Sequence, residues 1–341
     1  MTPDVLLAGV IAIALVLYTL TAGADFGGGV WALVARGRRA EDQRRVIGRA
    51  IAPIWEANHV WLILVIVLLF VGFPRAFAAI TTALHIPLTL MLIGVVLRGS
   101  AFTFNAYDPQ PGEGARRWSR VFAISSLLTP VALGVTLGAV SGGFVSDPAT
   151  GLVETDFFHQ WLAPYPFAVG LLTLALFVFL AAVYLVAEAE DPELKALFRR
   201  RGLVSGGLCG VTALLAYVAA EDGAPQILEG LRASSWALPL HLTTGLAAVV
   251  ALGALATARD RLAKLAAMAQ GALIVAGWCF AQYPYIAVPG YTIAGEAAPT
   301  DVLWPVLIAL ALGAALLVPT LVYLFVIFKV RPALEGEDDG H

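Results

Sequence analysis

Long runs of hydrophobic residues, separated by short polar connections, dominate the pattern along this chain. A run of about 20 apolar residues is long enough for an α-helix to cross the hydrocarbon core of a bilayer. Nine such runs occur, at residues 5–35, 51–71, 79–97, 121–140, 166–187, 203–220, 236–256, 265–281 and 302–328. The first run is longer than one crossing needs and contains three consecutive glycines, so we expect the chain between Asp25 and Arg36 to be tilted or partly reorganised.

Charged residues are rare in this chain, which indicates an integral membrane protein. They make up 13% of the sequence and hydrophobic residues 60%, whereas an ordinary soluble domain has about 25% charged residues. The net charge of −3 gives no reason to expect a nucleic-acid partner. No Lys or Arg precedes the first run, so no cleavable signal peptide is expected. Cys209 and Cys279 fall near opposite ends of different runs, and we expect both to be unpaired core residues.

The positions of the cations predict an orientation. Of the 21 Lys and Arg residues, all but Arg75 and Arg232 lie in alternate connections or in the tail. The cation-rich stretches are 36–50, 98–120, 195–201, 259–264 and 329–331. Cytoplasmic connections are enriched in Lys and Arg, so we expect the N-terminus outside and the C-terminus in the cytoplasm.

The connections also suggest how the helices are grouped. An acidic and then basic cytoplasmic stretch after Glu188 separates the first four runs from the next four. The predicted fold is an all-α integral membrane protein with two four-helix bundles and one peripheral helix. The predicted units are a first bundle with an acidic site (1–140), a second bundle (141–281), an outer loop with the ninth helix (282–328) and a cytoplasmic tail (329–341).

Two carboxylates inside or beside apolar runs, Asp25 and Glu56, are the candidate functional groups, because a charge in a membrane helix is costly and usually functional. Asp25 precedes Arg36 by 11 positions and Glu56 follows Arg49 by 7. At about 1.5 Å per helical residue, both lie roughly 10–16 Å from the cytoplasmic cations. A buried carboxyl group can take up and release protons near neutral pH, which predicts a proton relay. In the alternative interpretation, helix ends or an arginine hold each acid, which then only fixes packing.

Other polar and aromatic residues surround these acids. Arg98 ends the third run and is either a counter-ion for one of the acids or extends to the interface. Asn58 and His59 add polar groups after Glu56; His59 is a core histidine in the favoured interpretation and a haem or metal ligand in the other. Trp55 and Trp61 flank the acid and either contact a quinone or cofactor or pack at the interface. His85 and His241, near the outer side, would be axial ligands only if they met, which the sequence does not show.

These motifs carry a resemblance to a known family. The first motif is Gly23-x-Asp25-Phe26-Gly27-Gly28-Gly29. The second runs from Arg45-x-x-Gly48 through Pro53-x-Trp55-Glu56-x-Asn58-His59-Val60-Trp61 to Ile63. The others are Phe73-Pro74 and Arg98-Gly99. The sequence resembles subunit II of the cytochrome bd family of quinol oxidases, including its cyanide-insensitive members. The match is densest over residues 18–105.

The resemblance implies a partner and an activity. Subunit II pairs with a homologous subunit I in the bacterial cytoplasmic (inner) membrane. Subunit I carries haem b and haem d, or a b-type variant, whereas subunit II ligates no haem or metal and has no catalytic residue. The complex oxidises ubiquinol or menaquinol on the outer side and reduces dioxygen with cytoplasmic protons. Small accessory subunits, membrane lipid and quinone are further expected partners.

The resemblance also implies a proton pathway in this chain. Asp25, Glu56 and Arg98 match family positions on that pathway, and Asn58, His59 and Thr103 complete it. Some family members have an aspartate near the position of Thr103, and the nearest acid here is Asp108. A hydroxyl can pass a proton through a bound water but cannot store one.

Two other functions fit the same residues. Membrane carboxylates, glycine-rich helices and two similar halves are also typical of a proton-coupled secondary transporter. The chain could also be a scaffold that stabilises a catalytic partner and conducts nothing.

Overall fold

The computed structural model describes residues 2–51, 55–107, 113–144, 153 and 156–325, without the side chains of 55–57, 105–107, 113–116, 318, 321–322 and 324–325. These residues are almost entirely helical, which confirms the predicted all-α class apart from one short hairpin. The helices are α1 (Pro3–Leu33), α2 (Ala40–Ile51), α3 (Trp55–Gly72), α4 (Pro74–Ala83), α5 (His85–Tyr107), α6 (Glu113–Gly142), α7 (Pro164–Glu188), α8 (Pro192–Gly223), α9 (Pro225–Ala233), α10 (Ala237–Ala256), α11 (Asp260–Gln282), α12 (Ile293–Glu296) and α13 (Thr300–Phe325). Strands β1 (Tyr285–Ala287) and β2 (Tyr291–Thr292) pair antiparallel between α11 and α12.

Eight of the described helices are long and apolar enough to cross a membrane, namely α1, α5, α6, α7, α8, α10, α11 and α13. The predicted run 51–71 corresponds to α3, which is followed by α4 after a bend of 119° at Phe73. If this bent pair is one crossing, the described helices give nine spans. The third predicted run was placed too early, because residue 79 lies inside α4 and the long helix begins at His85.

The glycines of α1 allow close helix packing and do not break the helix. α1 continues through Leu33, so the expected reorganisation after Asp25 was wrong. A β-carbon at Gly27 would collide with the backbone carbonyl of Phe177 in α7, and one at Gly29 would collide with the Ser126 side chain in α6. The missing side chains therefore let α7 and α6 approach α1 closely beside Asp25, and all three glycines are buried.

Within the described residues, the cation-rich stretches 36–50, 195–201 and 259–264 lie at one end of the helices, where ion pairs join neighbouring elements. Arg39 donates from Nη2 to Asp191 Oδ2 at 2.7 Å and from Nη1 to Glu193 at 2.8 Å. The hydrogen bonds from Arg39 and from the backbone amides at the start of α8 hold the pKa of Asp191 well below its usual range. Arg199 makes a bidentate pair with Asp260. We call this end the basic end; its cytoplasmic location remains a prediction.

Backbone hydrogen bonds close the opposite end. The amide of Phe144 donates to the carbonyl of Val288, and the amide of Val288 donates to the carbonyl of Val140. The amide of Ala298 donates to the carbonyl of Gly72 at the α3–α4 bend. Beneath this layer lies a packed apolar cluster that includes Leu7, Ile11, Ala14, Val65, Leu68 and Phe73.

The two predicted units are in close contact. α7, which begins the second unit, packs along α6 and α1 of the first, and α13 contacts α1. The division at residue 140 remains a prediction. The proposed tail 329–341 lies outside the described residues.

Candidate functional site: a buried aspartate–arginine pair

Four helices each supply one polar side chain to a buried cluster. These side chains are Asp25 from α1, Asn58 from α3, Arg98 from α5 and Ser126 from α6. At most 2% of the surface of each residue is exposed. The sequence singled out three of them, and the fold brings those three into direct contact.

The guanidinium group of Arg98 holds Asp25 by a two-pronged ion pair. Nη1 donates to Oδ2 at 2.7 Å, and Nη2 donates to Oδ1 at 2.5 Å. Nη2 also donates to the backbone carbonyl of Asp25 at 2.9 Å. Of the alternatives for Arg98, the structure therefore has the counter-ion to Asp25 and not an extension to the interface.

Further hydrogen bonds reach both members of the pair. Asn58 Nδ2 donates to Asp25 Oδ2 at 2.6 Å, and Arg98 Nε donates to the Ser126 hydroxyl at 2.9 Å. That hydroxyl in turn donates to the carbonyl of Phe122 at 2.7 Å. Each carboxylate oxygen of Asp25 thus accepts at least one hydrogen bond, and those from the guanidinium group are charge-assisted.

Aromatic rings enclose the arginine. Its guanidinium carbon lies 4.7 Å from the ring centre of Phe26 and 4.6 Å from that of Phe122. Such contacts stabilise a cation that has lost its water. Removal of two charges from water costs several kcal/mol per ion, which good geometry and additional hydrogen bonds must offset. The pair therefore consists of two charges at fixed positions, and each charge stabilises the other.

The cluster contains one unsatisfied polar atom. Asn58 Oδ1 is buried and has no hydrogen-bond partner among the described residues. A buried amide oxygen without a partner is costly unless a water or another donor occupies its site. This oxygen is thus the point at which the cluster can bind a water molecule.

Apolar side chains also border the cluster. Tyr18, Phe26, Met91 and Phe177 form a buried group there, and Trp61 packs against it. Trp61 is therefore a packing residue in the described structure, and its proposed contact with a quinone remains a prediction.

The other predicted site residues lie in different surroundings. Glu56 and Trp55 belong to the first turn of α3, but their side chains lie outside the described residues, as does Asp108. His59 is partly buried next to Asn58. Thr103 is exposed and its hydroxyl donates to the Gly99 carbonyl in the same helix at 3.0 Å, so the fold does not bring it to the cluster.

The described residues offer no metal site. No group of three or more His, Cys, Asp and Glu side chains in that part of the chain could hold a metal ion. His85 packs against Phe157, whereas His241 packs against Tyr217 beside a cavity of about 500 Å³ that residues of α1 and α6–α11 line. The two histidines therefore have different neighbours. Cys209 and Cys279 are both free.

Ser126 and the two aromatic rings were not predicted from the sequence. Ser125 and Ser126 stand together within an apolar run, and such polar residues in a membrane helix were the available signal. The rings of Phe26 and Phe122 gave no signal, because phenylalanine is common on any face of a membrane helix.

Comparison with known proteins places these residues in a family. The family model described as cytochrome bd terminal oxidase subunit II matches residues 3–328. The chain belongs to this family. As a bd oxidase subunit II, it is similar to a putative cytochrome bd menaquinol oxidase subunit II of Bacillus subtilis, with 22% identity over 68% of this chain and 67% of that protein. It is also 29% identical to the cytochrome bd-I ubiquinol oxidase subunit 2 of Escherichia coli, over 53% of this chain and 46% of that one.

A solved structure supports the same assignment. The bd oxidase subunit II described here superposes on a chain of the bd oxidase from Geobacillus thermodenitrificans with a TM-score of 0.80. The two chains are 26% identical, and the match covers 97% of this chain and 99% of the other. The fold is therefore that of a bd oxidase chain over nearly its whole length.

Proposed function

We propose that this subunit conducts protons from the cytoplasm toward the oxygen-reducing haems of a partner subunit in a quinol:dioxygen oxidoreductase. The observation that carries the proposal is the Asp25–Arg98 pair, buried at the level of the first turns of α3, with one unsatisfied oxygen on Asn58. A fully buried ion pair is an unfavourable way to gain stability alone, because apolar residues of similar size often serve as well. Its presence in a membrane helix bundle favours a functional role.

The contacts favour different roles for Asp25 and Glu56. Asp25 accepts hydrogen bonds from Arg98 and Asn58, so we assign it the role of a counter-charge to Arg98. Glu56 lies two residues before Asn58 in α3 and is the acid that we propose to gain and lose the proton. A water bound to Asn58 Oδ1 would connect Glu56 with the Asp25–Arg98 pair.

The partner and cofactors follow from the family. We propose that a homologous subunit I supplies haem b and haem d, or a b-type variant, and oxidises ubiquinol or menaquinol. The proposed location is the bacterial cytoplasmic membrane, with the basic end inside. Subunit II would then stabilise its partner as well as deliver protons.

The family assignment favours an oxidase subunit over a proton-coupled transporter. It does not separate a proton conductor from a scaffold. Replacement of Glu56 by Gln makes that distinction, because glutamine keeps the shape of glutamate but cannot release a proton. Glu41, an exposed carboxylate of α2, offers a matched control.

The experiment measures quinol-driven oxygen uptake by the purified complex, together with its visible haem spectrum. A proton-transfer group typically contributes on the order of 10²–10⁴ to a rate, so we expect Glu56→Gln to lower uptake by at least about tenfold with haems retained. Glu56→Asp should recover part of the rate, and Glu41→Gln should leave it unchanged. Full uptake by Glu56→Gln with normal haem content would refute the proposed role, and loss of the haems in both Glu56 variants would favour a scaffold.

A further inference from the structure

We propose that an arginine-rich surface at the basic end binds the phosphate groups of anionic phospholipids. The surface consists of Arg36, Arg38, Arg44, Arg45 and Arg49, in the connection after α1 and in α2; we call it the basic face. All five arginines are exposed. This inference is independent of the proton route, because none of these residues touches the Asp25 cluster.

The burial pattern of α2 separates two faces. Gln43, Ile47 and Ile51 recur every four residues and are buried against the rest of the protein. Arg45 and Arg49 lie on the opposite side of the helix, Arg44 lies beside the buried face, and all three are exposed. This is the pattern of an amphipathic helix at a membrane surface, except that the apolar face packs on protein and not on acyl chains.

The depth of α2 can be estimated from its contact with α1. α1 has 31 residues and is therefore about 46 Å long, which exceeds the roughly 30 Å of a hydrocarbon core and reaches through the headgroup layers. A β-carbon at Gly28 would lie 2.8 Å from Cδ1 of Ile51 and 3.5 Å from Cγ2 of Ile47. Gly28 is five residues before the end of α1, or about 8 Å inward. The second half of α2 therefore lies at the level of the headgroups.

Most of the positive charge on this surface has no protein counter-ion. Asp42 is 3.5 Å from Arg45 and 3.4 Å from Arg39, so one acid serves two arginines. Among the described residues, no carboxylate lies within 4 Å of Arg36, Arg38 or Arg49. Arg44 donates to the backbone carbonyl of Ala35 at 3.2 Å, which leaves its charge uncompensated.

A phospholipid phosphate fits this combination of charge and depth. Arginine binds phosphate oxygens in a bidentate manner and is weakly hydrated, which suits the interface between water and lipid. Each basic residue near an anionic membrane surface contributes about 1 kcal/mol of attraction, or roughly a fivefold change in binding. A free phosphate ion shares this chemistry but lacks an anchor in the membrane.

The test measures lipid binding to the purified complex in neutral detergent by native mass spectrometry. Phosphatidylglycerol and phosphatidylcholine are titrated separately into the wild type and into the variant Arg44→Gln/Arg45→Gln/Arg49→Gln. The control variant Arg200→Gln/Arg259→Gln/Arg261→Gln removes three exposed charges from the same end but leaves α2 intact.

We expect the wild type to prefer phosphatidylglycerol and the α2 variant to bind it at least about fivefold more weakly, with the control variant within about twofold of the wild type. Equal binding of the two lipids by the wild type would overturn the proposal. An equal loss in both variants would also overturn it, since net charge would then explain the effect. Displacement of the lipid by inorganic phosphate at constant ionic strength would identify a soluble anion as the ligand instead.

Discussion

Removal of one member of the Asp25–Arg98 pair is expected to destabilise the protein strongly. The side chains are 0% and 3% exposed, so Asp25→Asn leaves a guanidinium group buried without its counter-ion. Loss of one partner from a buried pair typically costs about 3–5 kcal/mol. The bidentate pair Arg199–Asp260 is a matched control, because its side chains are 25% and 22% exposed. Solvent screens this partly exposed pair, and surface pairs contribute about 0–1 kcal/mol, so Asp260→Asn should cost clearly less than Asp25→Asn.

A double replacement tests whether the cost comes from the unpaired charge. Asp25→Leu combined with Arg98→Met removes both charges and keeps apolar volume, and we expect it to be more stable than either single variant. Equilibrium unfolding of the purified complex in detergent, followed by circular dichroism, gives the free energies of unfolding of the wild type, Asp25→Leu, Arg98→Met and the double variant. If Asp25→Asn changes the free energy of unfolding by no more than Asp260→Asn does, Asp25 and Arg98 are not a desolvated charge pair.

Three further replacements test separate features. Gly27→Ala should lower the free energy of unfolding by about 1–3 kcal/mol, because the added methyl group overpacks the contact with α7. Gly9→Ala has open space around it and should be neutral or slightly stabilising. Equal effects of the two replacements would contradict the close helix contact at Gly27. Asn58→Ala removes a hydrogen bond to a charged group and should cost about 1.5–3 kcal/mol, measured in the same unfolding assay, and no change would mean that a water replaces the amide. Because Arg39 lowers the pKa of folded Asp191, the stability that it contributes is present at neutral pH and is lost as the pH falls below about 4. Asp191→Asn should therefore unfold at a lower temperature than the wild type at pH 7, with a smaller difference at pH 3, and a constant difference would contradict the shift.

The pairing within the site could be predicted because a charge inside an apolar run has few acceptable partners. Asp25 lies inside such a run and Arg98 directly follows another, so an ion pair between them was one of the expected outcomes. The role of Ser126 was missed because serine in a helix usually satisfies itself on a carbonyl four residues earlier, as it also does here with Phe122. Only the fold shows that its oxygen also accepts from Arg98.

The fold was predictable where hydrophobic length decides it and not where the direction of the chain changes. Pro74 follows Phe73 at the α3–α4 bend, but apolar residues continue on both sides, so the run at 79–97 was counted from inside α4. The glycines after Asp25 permit either a broken helix or a close contact. The choice depends on Phe177 and Ser126, which are distant in the sequence.

The apolar cluster under the closed end has an electrical consequence. Ala14, the innermost α1 residue of that cluster, lies 11 positions before Asp25, so about 16 Å of helix separates it from the pair. A transmembrane voltage falls across the material that excludes water and ions, and each charge that crosses it exchanges about 2.3 kcal/mol per 100 mV. If water enters from the basic end, most of the transmembrane voltage falls across the apolar cluster, because the cluster excludes water and ions. Under the proposed function, a proton that travels from the basic end to the pair then stores little energy, and the step that charges the membrane comes after the pair.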